Sequence, residues 1–334
     1  MSWREKTLDF QDLRRIIDDR NQLVYGRFRD LAFLNVNHPE LLSMLKKVIG
    51  YWKDFLRPAL TSFCCEAVGG NEEAAVEASV MFTMAAAGLS IHDDILDKSN
   101  KKHNRTTILG DYGLDKAVLV GDLLLLKAWT QIGNIVKQVD KSEQIMTVLN
   151  NYSVNLCEAQ LIGLSFKQKF DVDVSEYKNY LFKLNADLEA CTKIGAILGG
   201  GTKEDIIALE KYGKYIGFML GLMDDLADTC KKESLFHRIK HESLPLTLIF
   251  TIRSKRDLEI KIRALNQKSI MSISEFEELQ KLCKKTGFIY MQDIAKKTAL
   301  NANNELSKIK DSNAKTILKY IIHLILGRIT CPWP

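Results

Sequence analysis

The distribution of proline places the strongest constraint on the fold of this chain. Only five prolines occur in 334 residues, and none lies between Pro58 and Pro245. A stretch of this length without a helix breaker favours long, uninterrupted helices. The sequence offers no convincing alternating strands and no repeat of fixed period. It therefore predicts an all-α protein.

Composition and charge narrow the classes of function. Hydrophobic residues make up 46% of the chain and charged residues 27%, and no linker rich in Pro, Gly or Ser interrupts it, so we predict one domain over residues 1–334. The net charge of +5 is small and scattered, which argues against nucleic-acid binding. Apolar runs are too short or too interrupted to span a bilayer. Seven cysteines without a C-x-x-C pair and no apolar leader indicate a cytoplasmic protein.

Capping signals predict where several helices begin and end. Asn71 is a suitable N-cap before Glu72 and Glu73, so a helix is expected from there past Asp94. Capping boxes are predicted at Thr202-Lys-Glu-Asp205 and at Ser274-Glu-Phe-Glu277. Three further helices are expected over residues 115–137, 142–163 and 174–198, the last closed by three glycines.

Two clusters of the form D-D-x-x-D carry the clearest chemical signal. They comprise Asp93, Asp94 and Asp97, and Asp224, Asp225 and Asp228. In each cluster the first and last carboxylates are one helical turn apart, about 6 Å along the axis, and such groups repel unless a cation joins them. Mg²⁺ prefers oxygen ligands and commonly links protein carboxylates to substrate phosphate. One cluster alone is typical of a solvated acidic helix face, but a second one flanked by apolar residues favours a diphosphate site.

These motifs resemble those of the trans-isoprenyl (polyprenyl) diphosphate synthase family. The first matches as Ser90-Ile-His-Asp93-Asp94-Ile-Leu-Asp97, and the resemblance extends over about residues 53–245. Residues 119–125 and 155–160, Lys183 and Leu244-Pro245-Leu246 resemble further family landmarks in the same order. The resemblance implies an antiparallel helical bundle with a central cavity and the two motifs on opposed helices.

The resemblance also implies a reaction and its cofactor. An allylic diphosphate ionises, isopentenyl diphosphate attacks the carbocation, and a proton is lost. Mg²⁺, three ions per site, would be held by the six aspartates. Lys183, Gln160, Lys102 and Lys240 would contact phosphate oxygens as catalytic residues, and Arg57, Lys53 and Arg105 would bind substrate. The expected assembly is a homodimer or a heterodimer with a related synthase.

Small residues before the first motif bear on product length. Ala85, Gly88 and Leu89 precede Asp93 on the same side of the helix. In the family, a large aromatic residue at the position of Gly88 stops chain growth, so glycine implies products of twenty to twenty-five carbons or longer. The alternative is that these small residues let two helices pack closely.

The sequence departs from the family where isopentenyl diphosphate would bind. Asp54 stands where the family has lysine, Ala86 where it has histidine, and His103 where it has arginine; Gly163 stands where it has aspartate. An acid such as Asp54 is expected to repel a diphosphate. Three hypotheses follow: an elongating prenyltransferase, a weakly active or inactive partner subunit of a synthase, and an enzyme that uses another acceptor or cyclises its substrate.

Overall fold

The computed structural model describes residues 10–102, 105–137 and 141–331. In these residues the chain forms α-helices and one short hairpin, which confirms the all-α prediction. The first helices are α1 (Phe10–Phe33), α2 (Pro39–Tyr51), α3 (Arg57–Ala67), α4 (Glu72–Leu96), α5 (Ile108–Tyr112), α6 (Leu114–Thr130), α7 (Ile132–Val136) and α8 (Ser142–Phe166). Then follow α9 (Val174–Leu184), α10 (Ala186–Leu198), α11 (Lys203–Thr229), α12 (Lys232–His241), α13 (Leu246–Ser254), α14 (Asp257–Gln267), α15 (Ile273–Lys285), α16 (Gly287–Ser307) and α17 (Asn313–Thr330).

Two of the predicted helix starts are confirmed by their hydrogen bonds. The Asn71 side chain accepts a hydrogen bond of 2.9 Å from the Ala74 N–H at the start of α4. At the start of α11, the Asp205 N–H donates to the Thr202 hydroxyl, and the Asp205 carboxylate accepts from the Thr202 N–H. These contacts satisfy N–H groups that have no partner within the helix.

Three predicted boundaries are wrong. The helix predicted over 174–198 is broken at Asn185, whose side-chain amide donates to the Leu181 carbonyl and ends α9. The helix predicted over 115–137 is divided at Gln131 between α6 and α7. The capping box of α15 is formed by Ser272 and Glu275 rather than two residues later.

A short hairpin follows the first aspartate motif. Strands β1 (Lys101–Lys102) and β2 (Arg105–Thr106) are antiparallel, and Lys102 pairs with Arg105. The left-handed conformation of Lys98, with φ of +55°, turns the chain from α4 into this hairpin. His103 lies outside the described residues.

The described residues form two compact units. The first comprises the described residues up to Val148, with Cys191–Leu209 and Ile309–Leu318. The second comprises Leu149–Ala190, Glu210–Lys308 and the described residues from Lys319. The first aspartate motif belongs to the first unit and the second motif to the second unit. The single domain over residues 1–334 stays a prediction.

Helix α4 is the core helix of the first unit. Its buried residues form a continuous run from Ala78 to Gly88. Of the helices that the structure describes, it alone is long and apolar enough to cross a membrane, and 72% of that apolar window is buried inside the protein. Burial of this kind is what a core helix shows in a folded domain.

Candidate active site

The first motif lies at the C-terminal end of α4. Asp97 is the C-cap, and its N–H donates to the Asp93 carbonyl at 2.9 Å, so the two carboxylates are one turn apart as predicted. Both are half-buried, whereas Asp94 is only 3% exposed. The negative end of the helix dipole disfavours acids here, and the last turn of α4 carries no basic residue. This end of the helix therefore requires a cation from elsewhere.

Lys102 on β1 supplies part of that positive charge. Its ammonium lies 3.4 Å from Asp93 Oδ2 and 3.4 Å from Asp94 Oδ1. Burial raises the pKa of Asp94 above its usual value, and Lys102 opposes that rise. The hairpin thus brings Lys102 to the first motif, and its contact with a phosphate oxygen stays a prediction. Arg105 lies over the Tyr51 ring, with its guanidinium carbon 3.4 Å from the ring centroid.

Asp54 is paired with a basic residue at the start of α3. Its carboxylate accepts from the Arg57 N–H at 3.1 Å, and Oδ2 lies 3.4 Å from the Arg57 guanidinium. An acid at the start of α3 is favoured by the helix dipole. The Asp54 charge is therefore partly offset by Arg57, and the expected repulsion of a diphosphate stays a prediction. Lys53 is exposed, and Ala86 is buried.

Gly88 packs against α6. A Cβ atom at this position would lie 2.8 Å from the Gly121 carbonyl oxygen and 3.1 Å from Leu125 Cγ. This geometry favours close helix packing over a channel lining for Gly88, so the glycine carries no inference about product length. Ala85 is 6% exposed and Leu89 is half-buried, on the same helix.

The substitution Gly88→Ala is expected to lower the free energy of unfolding by about 1–2 kcal/mol. Overpacking against a backbone oxygen costs about 1–3 kcal/mol, and the better helix propensity of alanine recovers up to about 1 kcal/mol. The matched control is Gly26→Ala in α1, where nothing lies within 4 Å of the new methyl group. Urea unfolding of both variants checks this, and a Gly88→Ala protein as stable as the Gly26→Ala protein would contradict it.

The second motif lies near the C-terminal end of α11. Asp224 is exposed and Asp228 half-buried, while Asp225 is 2% exposed. As in α4, the last turn of this helix contains no basic residue. Both motifs therefore place acids at the unfavourable end of a helix.

A buried arginine that the sequence analysis missed holds this motif. Arg238 on α12 donates to Asp228 Oδ2 at 2.9 Å and to Asp225 Oδ1 at 3.0 Å. The Tyr177 hydroxyl donates to Asp225 Oδ1 at 3.0 Å, and its oxygen accepts from Arg238. The signal was present, because Arg238 shares the apolar stripe of α12 with Leu235 and Ile239.

Further hydrogen bonds and ion pairs hold Arg238 and Asp225 in place. The Arg238 Nε donates to the Ser243 carbonyl at 2.7 Å and lies 3.2 Å from the Glu242 carboxylate. The second oxygen of Asp225 accepts from the Leu246 N–H at 2.9 Å. Burial raises the pKa of Asp225, and Arg238 and the Leu246 N–H oppose that rise. Both Asp225 oxygens are thus engaged by the protein, and the assignment of Asp225 as a metal ligand stays a prediction.

Lys240 is bound to the backbone at the end of another helix, and its contact with phosphate stays a prediction. Its ammonium donates to the carbonyls of Asn266 and Lys268, at 2.7 and 2.9 Å, at the end of α14. These bonds satisfy carbonyls that a helix leaves without partners at its C-terminus. Arg238, two residues earlier, is the cation that α12 brings to the second motif.

Lys183 and Gln160 lie on α9 and α8. The Lys183 ammonium pairs with the carboxylate of Glu158, and Gln160, two residues later on α8, is half-buried. Gly163, on the same helix, has the Tyr180 ring 3.1 Å from where its Cβ would be. An aspartate at position 163 would require the Tyr180 ring to move slightly.

The acidic residues fit Mg²⁺ by chemistry. Among the described residues, no group of three or more His, Cys, Asp or Glu side chains is arranged to hold a metal ion. Mg²⁺, however, usually takes one or two protein carboxylates and completes its shell with water and substrate phosphate. Partly exposed carboxylates at the C-terminal ends of α4 and α11 can serve as such ligands, because the helix dipole favours a cation there. The fit applies to Asp93, Asp97, Asp224 and Asp228.

Comparison with known proteins identifies the family. The polyprenyl synthetase family model matches residues 39–283. The chain is 28% identical over 283 residues to a short chain isoprenyl diphosphate synthase from Methanothermobacter thermautotrophicus, covering 82% of this chain and 86% of the relative. It is 27% identical over 278 residues to a geranylgeranyl diphosphate synthase from Methanosarcina mazei, covering 82% and 85%.

Solved structures agree on the fold. A geranylgeranyl pyrophosphate synthetase from Pyrococcus horikoshii has a TM-score of 0.84 and 24% identity, covering 96% of this chain and 99% of that one. Together with the sequence relatives, the family match confirms the predicted family and the predicted class of enzyme, a prenyltransferase. The chain belongs to the polyprenyl synthetase family.

Proposed function

We propose that the chain elongates an allylic diphosphate with isopentenyl diphosphate in a Mg²⁺-dependent reaction. The observation that carries this proposal is the pair of acidic motifs, each at the C-terminal end of a long helix whose last turn lacks a basic residue. Such ends are stabilised by cations. A substrate that arrives as a metal–diphosphate complex supplies them.

The acidic residues and the lysines have different proposed roles in the release of the diphosphate. Mg²⁺ would neutralise the charge that develops on the leaving diphosphate. Asp93, Asp97 and Asp224 are the proposed carboxylate ligands. Lys102 and Lys183, each paired with a carboxylate in this structure, are the proposed phosphate contacts. Each would exchange an acidic partner for a phosphate oxygen when substrate binds.

The proposal also covers the residues that bind the substrates and the length of the product. Arg57, Lys53 and Arg105 are proposed to bind the acceptor, with Gln160 assisting at the diphosphate. A product of twenty carbons is the one named for the Methanosarcina mazei relative, and we propose twenty to twenty-five carbons or longer for this chain. The reaction is proposed to take place in the cytoplasm.

A product assay tests this function. Purified protein is incubated with labelled isopentenyl diphosphate, Mg²⁺ and allylic primers of five to twenty carbons, and the products are separated by chromatography after dephosphorylation. Elongated products that disappear with EDTA and return with added Mg²⁺ are expected. A folded protein that yields no elongated product with any primer contradicts activity of the chain alone.

A partner subunit is the second candidate. Ala86 and the Asp54–Arg57 pair reduce the charge available to an acceptor diphosphate, and each lost charge-assisted contact costs about 1.5–3 kcal/mol. Helix α6 also exposes several large apolar side chains, as a helix that pairs with another chain does. These are Leu114, Val118, Leu119, Leu126 and Trp129.

Co-expression distinguishes the two candidates. The chain is produced beside a complete synthase of the same family, and the complexes are separated by differential tags. A mixed dimer with altered product length supports the partner role. Homodimers alone, with the synthase products unchanged, contradict it.

A further inference from the structure

The second motif is partly neutralised by a basic residue of the protein itself. Arg238 contacts two of its three carboxylates, Asp225 and Asp228, and its side chain is 10% exposed. Tyr177 and Ser243 hold the same guanidinium from other sides. A buried cation with this many partners has a fixed position. The motif thus contains one fixed cation before any divalent ion binds.

The two carboxylates paired with Arg238 differ in burial and in how many of their oxygens are hydrogen-bonded. Both oxygens of Asp225 are hydrogen-bonded, and the residue is buried. Asp228 is bonded to Arg238 through Oδ2, and 32% of its side chain is exposed. An oxygen that accepts from a guanidinium donates less charge to a metal ion. Asp228 is therefore a weaker ligand than its position in the motif suggests.

We propose that Arg238 is a positioning residue that holds Asp228 by one oxygen and weakens divalent-cation binding to the second motif before a diphosphate is bound. This inference rests on the proposed function, since that function assigns the motif to metal and diphosphate. Weak binding by the free motif makes the ion arrive and leave with the diphosphate. Asp224 then carries most of the interaction with a metal ion in the absence of substrate.

The test measures Mn²⁺ binding to the substrate-free chain by electron paramagnetic resonance of free Mn²⁺. All variants carry Asp93→Asn and Asp97→Asn, which removes the ligands of the first motif. Asp225→Asn with Arg238→Met removes the buried pair without changing the net charge. Asp228→Asn is then introduced into both backgrounds, and unfolding curves confirm that each protein is folded.

The effect of Asp228→Asn on Mn²⁺ binding is expected to be larger when the buried pair is removed. With Arg238 present, Asp228→Asn should weaken Mn²⁺ binding by less than about twofold, and with the pair removed by about fivefold or more, the size expected for one ion-pair interaction. Removing the pair should itself tighten Mn²⁺ binding. An equal effect of Asp228→Asn in both backgrounds, or no Mn²⁺ binding in any variant, overturns the proposal.

One control and one replacement variant keep the result interpretable. Arg253→Met with Asp173→Asn removes an exposed ion pair of the same unit and should leave Mn²⁺ binding unchanged. If the Arg238→Met protein does not fold, Asp225→Asn with Arg238→Gln is judged by the same criteria. A purely structural Arg238 would change stability without changing the dependence on Asp228. Because no prenyl substrate is present, failure of the proposed reaction is seen separately in the product assay.

Discussion

Replacing Asp93 with asparagine is expected to reduce the rate of prenyl transfer by about 10²–10³-fold, the size of effect seen when one charge-stabilising group is removed from an active site. Asp93 is half-buried, lies one turn from Asp97 and is 3.4 Å from the Lys102 ammonium. The neutral amide keeps the shape of the side chain but removes the charge that a metal ion requires. Turnover with an allylic primer and isopentenyl diphosphate at several Mg²⁺ concentrations measures the loss.

The Mg²⁺ dependence separates a metal ligand from a structural acid. The Asp93→Asn protein should need more Mg²⁺ for half-maximal rate, while its unfolding midpoint stays close to the parent value. The matched control is Asp115→Asn, at an exposed position in the first turn of α6. It should change neither the rate nor the Mg²⁺ requirement. A rate and a Mg²⁺ requirement unchanged by Asp93→Asn would rule this residue out as a ligand.

Local signals in the sequence determined much of the fold. The proline-free stretch predicted the all-α class, and the Asn71 and Thr202 caps predicted the starts of α4 and α11. These signals suffice because each depends on a few neighbouring residues and on backbone geometry. The one-turn spacing of Asp93 and Asp97 follows in the same way from helix geometry.

The break at Asn185 could not be predicted from local signals. Neither proline nor glycine marks it, and the Asn185 amide bonds the backbone four residues earlier. Helix α11 passes close to this point, since a Cβ at Gly217 would lie 2.7 Å from the Asn185 carbonyl oxygen. This close approach joins residues far apart in sequence, which local signals do not contain.

Local sequence signals also did not identify which basic residue of α12 contacts the second motif. Lys240 and Arg238 are two residues apart on α12, so they project in different directions. The family resemblance suggested a cation from this segment, and the spacing to the motif did not distinguish the two. The apolar neighbours Leu235 and Ile239 were the signal that favoured Arg238, because a charged residue in an apolar stripe requires a buried partner.

The substitution Arg238→Met is expected to lower the free energy of unfolding by about 3–5 kcal/mol, as breaking one half of a buried ion pair does. Asp225 would keep the Tyr177 hydroxyl and the Leu246 N–H but lose its cationic partner. A buried carboxylate without a cation is strongly disfavoured. Chemical denaturation monitored by circular dichroism measures the loss.

The second substitution Asp225→Asn should recover a large part of this stability. With both charges removed, the amide can still accept from Leu246, and methionine fills the volume of the arginine stem. Arg253→Met, which breaks the exposed pair with Asp173, should change stability by no more than about 1 kcal/mol. If Arg238→Met costs as little as this control, Arg238 does not support the second motif. If Asp225→Asn adds to the loss instead of reversing it, the buried charge of Asp225 is not its cause.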